Sequence, residues 1–179
     1  MPGMKQLLLA FALVFLAACS GKPSFNDAAL SERKLDLERF FDGRFVAHGQ
    51  FQDRFGKLRQ RFVVDMTGDW DGETLTLTED FTYASGATEQ RIWRLTKTGD
   101  DTWRGMADGV IGEATGREEG DRFNWRYTID LPQPDKGGTL RVAFDDWMWL
   151  LSEDRLLNIA YVERFGLRLG RVTIMFEKL

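Results

Sequence analysis

Cysteine and histidine are nearly absent from this sequence, which has one of each in 179 residues. The lone Cys19 rules out an internal disulfide and argues against thiol catalysis. Zinc and related metal sites draw on clustered cysteine and histidine side chains, so we predict no metal site. A serine hydrolase could use His48 as its base, but the chain lacks the G-x-S-x-G nucleophile motif. These absences predict a protein that is not an enzyme and holds no metal or cofactor.

The chain also lacks an excess of basic over acidic residues, and it has a single long apolar run. The formal net charge is −4 at pH 7, which disfavours nucleic acid as a partner and gives no general attraction to anionic lipid. The one long apolar run, Leu7 to Ala18, has 12 residues. A membrane-spanning helix needs roughly 20 apolar residues, and a run this short after Lys5 is typical of a signal peptide.

The apolar run ends in Leu16-Ala17-Ala18-Cys19, which resembles the lipobox of bacterial lipoproteins. This resemblance implies cleavage after residue 18 and attachment of diacylglycerol to the Cys19 thiol, with the acyl (palmitate-type) chains holding the protein to a membrane. Ser20, in place of aspartate, favours the outer membrane, with the domain facing the periplasm. We therefore predict a lipoprotein signal peptide at residues 1–18. Residues 19–34, which are small and polar and include a proline, are predicted to be the lipidated N-terminus and a tether.

The rest of the chain has the period of β-strands. Leu75 and Leu77 alternate with threonines, Trp93 shares a strand face with Leu95, and Trp125 alternates with Asn124 and Arg126. Turn signals recur at short intervals; they are Gly68-Asp69, Asp71-Gly72, Ser85-Gly86, Gly99-Asp100, Asp108-Gly109, Glu119-Gly120 and Gly137-Gly138. Short strands at this spacing indicate an all-β domain.

We predict one domain over residues 35–179, an antiparallel lipocalin-like β-barrel of roughly 8–10 strands. A short helical turn at Leu35 to Phe41 precedes it, with Leu37, Phe40 and Phe41 facing inward. A closed barrel is favoured because apolar strands in this number would leave long exposed edges in an open sheet. A flat β-sandwich is the alternative.

The stretch "VAFDDWMWLL" raises the question of whether Asp145 and Asp146 act as a catalytic pair. Successive strand residues point to opposite faces, so Asp146 shares a side with Phe144 and Met148, whereas Asp145 shares the other side with Trp147. A two-carboxylate hydrolase needs both groups aimed at one bond, which this arrangement does not give. A buried aspartate needs a partner, and we expect an arginine to hold at least one of the two. That pair either fixes the strand register or orients a polar ligand head inside a cavity.

Several segments resemble a family of Gram-negative lipoproteins known only as domain-of-unknown-function family 3833. They are "FFDGRFVAHGQFQDRFGKLRQRF", "GDWDGETLTLTEDFTY", "RIWRL", "NWRYTI" and "VAFDDWMWLL", which together extend from about Leu35 to Phe176. The resemblance implies a place in the cell envelope and a lipid anchor, and it implies no activity. A looser similarity to lipocalins rests on "RFFDGRF", where Phe45 stands in place of the tryptophan of the lipocalin Gly-x-Trp motif.

These observations predict a non-enzymatic, lipid-anchored envelope protein that binds a small apolar or amphipathic ligand inside its barrel. The candidate ligand-binding residues are Trp125, Arg126, Asp146 and Trp147, of which Trp125 and Arg126 cannot both face the interior. The alternative is a structural or assembly lipoprotein, which binds another envelope protein and has a packed barrel. An exposed aromatic patch would favour that alternative.

Overall fold

The computed structural model describes residues 21–133 and 137–179. In that part the chain forms a short helix, α1 (Leu37–Phe41), and ten strands. The strands are β1 (Gly43–Asp53), β2 (Leu58–Trp70), β3 (Thr74–Tyr83), β4 (Thr88–Gly99), β5 (Thr102–Met106), β6 (Ala114–Glu119), β7 (Arg122–Pro132), β8 (Thr139–Leu150), β9 (Arg155–Arg164) and β10 (Leu167–Lys178). Consecutive strands pair antiparallel and β10 pairs with β1, so the sheet closes on itself. The predicted antiparallel lipocalin-like barrel is confirmed, and the alternative of a flat sandwich is wrong.

The alternation of apolar residues decides which side of each strand faces the interior. Leu75 and Leu77 of β3 lie directly opposite Leu95 and Trp93 of β4, and all four side chains are buried. The threonines between them, such as Thr76, point outward. A strand with this pattern can bury one face only when the sheet curves around those residues, which closure into a barrel achieves.

The predicted turns form where the turn chemistry is complete. Asp71 accepts hydrogen bonds from the backbone N–H groups of Glu73 and Thr74, and Gly72 takes a φ of +101°, so the β2–β3 hairpin forms as predicted. Asp108-Gly109 instead lies in a longer connection between β5 and β6, where the Asp130 N–H donates to the Gly109 carbonyl. The turn predicted at Gly68-Asp69 is wrong, because both residues lie within β2.

Helix α1 closes one end of the barrel. Asp36 caps it by accepting a hydrogen bond from the Arg39 N–H, and Leu37, Phe40 and Phe41 are buried as predicted. The aromatic ring of Phe41 packs edge-on against that of Phe176 in β10. Across residues 21–133 and 137–179, no helix has the length and apolar character needed to cross a membrane.

Apolar side chains fill the interior next to α1. This larger cluster includes Phe45, Leu75, Trp103, Phe123 and Leu156, each at most 1 % exposed. A smaller apolar cluster lies toward the opposite end, around Ile129, Val142 and Val162 on strands β7 to β9. The structure therefore has a closed end at α1, and the candidate site lies between the two clusters.

Residues 21–36, which we name the N-terminal strap, lie along the outer wall of strands β7 to β9. Lys22 forms ion pairs with Asp145 and Glu163, each at 3.0 Å, and the Phe25 ring lies 4.9 Å from that of Trp147. The Leu35 N–H donates to the Gly120 carbonyl near α1. The strap covers the outer face of β8, and it lies in the segment where the sequence predicts a tether.

Candidate functional site

Asp146 is the one member of the predicted site that brings an ionisable group into the barrel. It lies on the inward face of β8, opposite Trp125 of β7 and Ala160 of β9. The residue is 7 % exposed, and its Oδ1 atom is buried without a hydrogen-bond partner among the described residues. A buried carboxyl oxygen without a partner costs free energy, so a hydrogen-bond donor bound at this place would be stabilising.

Strands β3 and β4 contribute further polar groups to the interior. Glu79 of β3 lies opposite Arg91 of β4 in the strand register. Both residues continue the inward rows of leucine and tryptophan residues. The Arg91 guanidinium donates to Glu89 at 2.7 Å, and Glu89 also accepts the Tyr83 hydroxyl at 2.7 Å. The Glu89 side chain is 37 % exposed and that of Arg91 is 16 % exposed, so polar groups continue from solvent into the interior.

Aromatic rings form the walls beside these polar groups. The Tyr127 ring stacks on Phe144 with centroids 4.9 Å apart and also meets Trp93 edge-on at 4.9 Å. The Arg91 guanidinium lies over the Phe81 ring at 5.3 Å. Flat apolar surfaces beside a small number of polar groups are the usual composition of a site for a small amphipathic molecule.

The interior carboxyl groups are held toward their neutral forms. Burial raises the pKa of Asp146 well above its usual value, and the negative charges of Asp145 and Glu79 add to that effect. Burial likewise raises the pKa of Glu79 to about 7, although the charge of Arg91 opposes the shift. Burial also raises the pKa of the Tyr127 phenol, with a contribution from Asp146. The site therefore offers carboxyl and phenol groups whose raised pKa values favour their neutral forms, beside the Arg91 guanidinium.

Asp145 has the opposite environment, because it lies on the outer wall. It accepts hydrogen bonds from Lys22 at 3.0 Å and Asn124 at 2.8 Å, and it pairs with Arg126 at 3.3 Å. Partial burial alone would raise the pKa of Asp145, but these partners outweigh burial and lower it. The predicted arginine–aspartate pair is confirmed at Asp145, where Arg126 links β7 to β8, and the separate ion pair with Lys22 joins the strap to the barrel.

The four predicted ligand-binding residues divide between the two sides of the wall. Trp125 points inward, as Asp146 does, and stacks on Phe123 within the larger apolar cluster. Arg126 is exposed on the outer wall, and Trp147 is buried there beneath the strap. Because successive strand residues alternate, Arg126 and Trp147 do not reach the interior group around Asp146. Cys19, the predicted lipid attachment residue, lies outside the described residues.

Two glycines make room for Trp125. A Cβ atom at Gly105 or Gly116 would come within 2.7 Å or 2.5 Å of the Trp125 ring. Glycine in a strand commonly marks such a close approach of a neighbouring side chain to the backbone. Trp125 is thus held in place by its neighbours and forms a tightly packed part of the interior wall.

Sequence reasoning missed Glu79, Arg91 and Tyr127 as interior polar residues. The signal was present for Glu79, since Leu75, Leu77, Glu79 and Phe81 share one strand face. The same period places Arg91 with Trp93, and Tyr127 with Trp125. Polar residues at core positions of a regular strand are exceptions to the pattern, and such exceptions point to function or to a buried network.

A second buried carboxyl, Glu118 of β6, serves the packing of α1. It accepts hydrogen bonds from the Trp103 indole N–H and the Leu37 N–H. Burial raises the pKa of Glu118 to about 7 although both bonds favour the ionised form. Over residues 21–133 and 137–179, histidine, aspartate and glutamate side chains do not gather in groups of three that would hold a metal ion.

A shallow groove of about 630 Å³ lies on the outer wall across β9, β10 and β1 to β3. Val63, Leu157 and Met175 give it apolar surface, and His48 lies between them. Asp146 and Arg91 do not line this groove. The outer groove and the interior polar group are therefore separate features of the barrel.

Solved structures share this barrel at low sequence identity. An S-type phycobiliprotein lyase from Guillardia theta matches with a TM-score of 0.58 at 11 % identity, over 86 % of this chain and 96 % of that one. A protein of unknown function of the DUF3598 family from Nostoc punctiforme also matches with a TM-score of 0.58 at 11 % identity, over 86 % of this chain and 53 % of that one. Similarity at this level shows the fold alone.

Sequence comparison assigns the chain to one protein family. No curated protein sequence matches it. The model of the family described as protein of unknown function (DUF3833) matches residues 13–178, which is nearly the whole chain. The protein therefore belongs to the DUF3833 family.

Proposed function

We propose that this protein binds a small amphipathic molecule inside its barrel without converting it, while an N-terminal lipid holds it in the cell envelope. The observation that carries the ligand proposal is Asp146, a carboxyl group 7 % exposed whose Oδ1 atom has no partner among the described residues. The polar head of the ligand would donate to Asp146, and Arg91 would face it from β4. Its apolar part would lie against Tyr127 and the rings around it.

Binding without chemistry is the better proposal because the groups that could act on a bond are separated. Asp145 and Asp146 lie on opposite sides of the wall, so they cannot act together on one substrate. Asp146 and Glu79 share the interior, where burial keeps both of them toward the neutral form. Neutral carboxyls serve as hydrogen-bond donors and acceptors for a bound head group.

Native mass spectrometry tests the ligand proposal directly. The described strands, α1 and the strap all lie after residue 20, so a chain starting at Gly21 retains the whole described fold. This chain, exported to the periplasm, should carry an added mass that disappears on denaturation. Asp146→Leu and Arg91→Met should lower its occupancy, whereas Arg126→Gln on the outer wall should not. If the bound ligand were recovered with a mass different from that of the molecule that entered the barrel, this result would contradict binding without conversion.

The lipid anchor rests on the lipobox-like Leu16-Ala17-Ala18-Cys19 and on Cys19 being the single cysteine. Cells expressing the full chain and fed an alkyne-tagged fatty acid should label it, and Cys19→Ala should remove the label. Membrane fractionation should place the labelled protein in the outer membrane, and Ser20→Asp should shift it to the inner membrane. Labelling of Cys19→Ala at the level of the unchanged protein would contradict the anchor.

The outer groove favours a second candidate function, an assembly protein that binds another envelope protein. Its apolar lining of Val63, Leu157 and Met175 is partly exposed, as a docking surface requires. An unliganded mass for the chain from Gly21, repeated after incubation with envelope lipid extract, would favour this candidate. Site-specific photocrosslinking from Val63, with Asp65 as the neighbouring control, would then be the next experiment.

A further inference from the structure

Two hairpin turns at the barrel end opposite α1 expose large apolar side chains. In the β1–β2 turn Phe55 is 80 % exposed, and in the β9–β10 turn Phe165 is 90 % exposed and Leu167 is 64 % exposed. The turns are neighbours, since the Arg54 N–H donates to the Leu169 carbonyl at 2.8 Å. We name residues 53–59 and 163–168 the basic rim.

Charge in the basic rim is opposite in sign to that of the whole chain. The rim holds five basic residues, Arg54, Lys57, Arg59, Arg164 and Arg168, against two acidic ones, Asp53 and Glu163. Both acidic residues are already paired, Asp53 with Arg59 at 2.7 Å and Glu163 with Lys22 at 3.0 Å. The arginines Arg54 and Arg164 lie over the rings of Phe55 and Phe165, so cation and apolar surface are presented together.

The turn itself does not explain Phe165. Phe165 and Gly166 have φ angles of +51° and +74°, the backbone of a tight hairpin turn that favours asparagine or glycine at its first central position. A phenylalanine in this left-handed conformation costs about 1–2 kcal/mol relative to glycine. Its ring gains little packing in return, because it is almost fully exposed. A residue that is unfavourable for the turn and for solvent is explained by a partner that buries it.

We propose that the basic rim docks on the surface of an anionic lipid bilayer, with Phe55, Phe165 and Leu167 entering the headgroup region. Aromatic and leucine side chains flanked by arginine and lysine are the composition of an interfacial membrane contact. A protein partner would not need cations placed over each exposed ring, whereas lipid phosphates lie at the depth where those guanidinium groups would sit. The overall charge of −4 concealed this local excess of positive charge.

The strap brings the proposed lipid anchor to the same end of the barrel, a step that rests on the anchor itself. Lys22 pairs with Glu163 inside the rim, and Lys22 and Arg168 both lie over the Tyr161 ring. Two residues, Ser20 and Gly21, lie between Cys19 and Lys22, and an extended chain spans at most about 3.6 Å per residue. Anchor and rim would therefore reach the bilayer together and turn the barrel end opposite α1 toward it, so that an amphipathic ligand passes between membrane and barrel with little exposure to water.

Vesicle co-sedimentation of the chain starting at Gly21 tests the rim without the lipid anchor. The unchanged chain should bind vesicles of phosphatidylethanolamine with phosphatidylglycerol and should be released by high salt. The pair Phe55→Ser and Phe165→Asn should lower the vesicle partition coefficient by about tenfold or more, because two rings no longer enter the interface. Phe165→Asn gives the turn its favoured residue, so misfolding would not explain the loss.

Matched variants separate the rim from general effects of composition. Leu151→Ser with Leu179→Ser removes two exposed apolar residues elsewhere and should leave vesicle binding unchanged. Arg54→Gln with Arg164→Gln should lower binding about tenfold or more on anionic vesicles, since each rim cation contributes about 1 kcal/mol. Arg44→Gln with Arg94→Gln makes the same charge change outside the rim and should leave binding close to that of the unchanged chain.

Three results would overturn the docking surface: no binding of the unchanged chain to anionic vesicles, full binding by the Phe55 and Phe165 variant, or equal losses in the control pairs. The fatty-acid label on Cys19 and the ligand mass are measured separately. A result that overturns the docking surface would therefore contradict neither the proposed lipid anchor nor the proposed interior site. Loss of the Cys19 label would remove the argument about orientation while leaving the lipid-free vesicle binding intact.

Discussion

Asp145 and Asp146 are neighbours in the chain, yet the barrel wall separates their carboxyl groups. Asp145 pairs with Lys22, Asn124 and Arg126 on the outer wall. Asp146 lies inside, with its Oδ1 atom unpartnered among the described residues. The pKa of Asp145 is lowered by its partners and that of Asp146 is raised by burial, so one peptide unit joins an ionised group to a neutral one.

This contrast predicts opposite effects of removing each charge. Asp145→Asn should lower the free energy of unfolding at pH 8 by about 1–2 kcal/mol, because Lys22 and Arg126 lose a partly buried partner. Asp146→Asn should raise the free energy of unfolding at pH 8, because the unfolded chain no longer gains from ionising this residue. Urea unfolding of both variants at several pH values measures these differences.

The pH dependence gives each aspartate its own control. The folded-state pKa of Asp146 lies above the unfolded value, so its destabilising effect grows as pH rises above about 4 and disappears below it. The folded-state pKa of Asp145 lies below the unfolded value, so its stabilising effect is present above about pH 4 and is lost as pH falls through the folded value. Equal shifts of the two variants at pH 8 would show that the two carboxyls share one environment.

Glu79 should govern part of the stability change between pH 5 and pH 8. Its pKa rises from 4.5 in the unfolded chain to about 7 in the barrel, so the folded state holds the proton more tightly. The free energy of unfolding should fall as pH increases through that window, and Glu79→Gln should reduce the fall by as much as about 3 kcal/mol. Asp80→Asn changes the outward-facing neighbour of Glu79 and should leave the pH slope of the free energy of unfolding unchanged. Glu118, whose pKa is also raised to about 7, contributes to that slope in every variant. A slope unaltered in Glu79→Gln would remove Glu79 from the interior site.

Local pattern was enough to predict the barrel and the sides of β8. The alternation at Leu75 and Leu77, the Asp71-Gly72 turn and the placement of Asp145 and Asp146 on opposite faces of β8 all depend on residues close together in sequence. Which of those two faces points inward could not be predicted from that pattern. The same period could have placed Glu79 inside, but a polar residue in an apolar row is easily taken for an outward one. The two-residue period of the strands therefore predicts the interior site residues better than the polar or apolar type of each side chain does.

Contacts between distant segments could not be predicted from pattern. Lys22 meets Asp145 across 123 residues, and Arg122 donates to the carbonyls of Ser24 and Asp27. A small, polar, proline-containing segment has the composition of a tether, and no local signal shows that one phenylalanine, Phe25, will fix it to the wall. Trp147 was for that reason interpreted as a ligand residue, although it packs beneath the strap.

Gly68 should be essential for the closed end of the barrel. A Cβ atom at this position would come within 1.7 Å of the Phe41 carbonyl oxygen and 2.9 Å of the carbon bonded to it, and these backbone atoms cannot move aside as the end of a flexible side chain can. Gly68→Ala should cost about 1–3 kcal/mol, as overpacking usually does. A chain of this size should then lose roughly 2–4 °C of melting temperature for each kcal/mol. Gly21→Ala has nothing within 4 Å of its added Cβ and should melt with the unchanged protein. Identical melting of both variants would show that α1 does not sit against β2.

Phe25 should hold the strap on the barrel. Its ring packs 4.9 Å from that of Trp147, and the guanidinium groups of Arg117 and Arg122 lie over it. Phe25→Ala should expose Trp147, so tryptophan emission should shift to longer wavelength and acrylamide should quench it more strongly.

The stability cost of Phe25→Ala should be about 1–3 kcal/mol, because an aromatic ring and its cation contacts are lost at the surface of the wall. Phe55→Ala removes a ring that is 80 % exposed, so it is the matched control and should change neither emission nor unfolding. Limited proteolysis provides a second readout, since a released strap should be cut between residue 21 and α1 while the barrel stays whole. Unchanged quenching and proteolysis in Phe25→Ala would mean that the ion pairs of Lys22 and the bonds from Arg122 hold the strap without it.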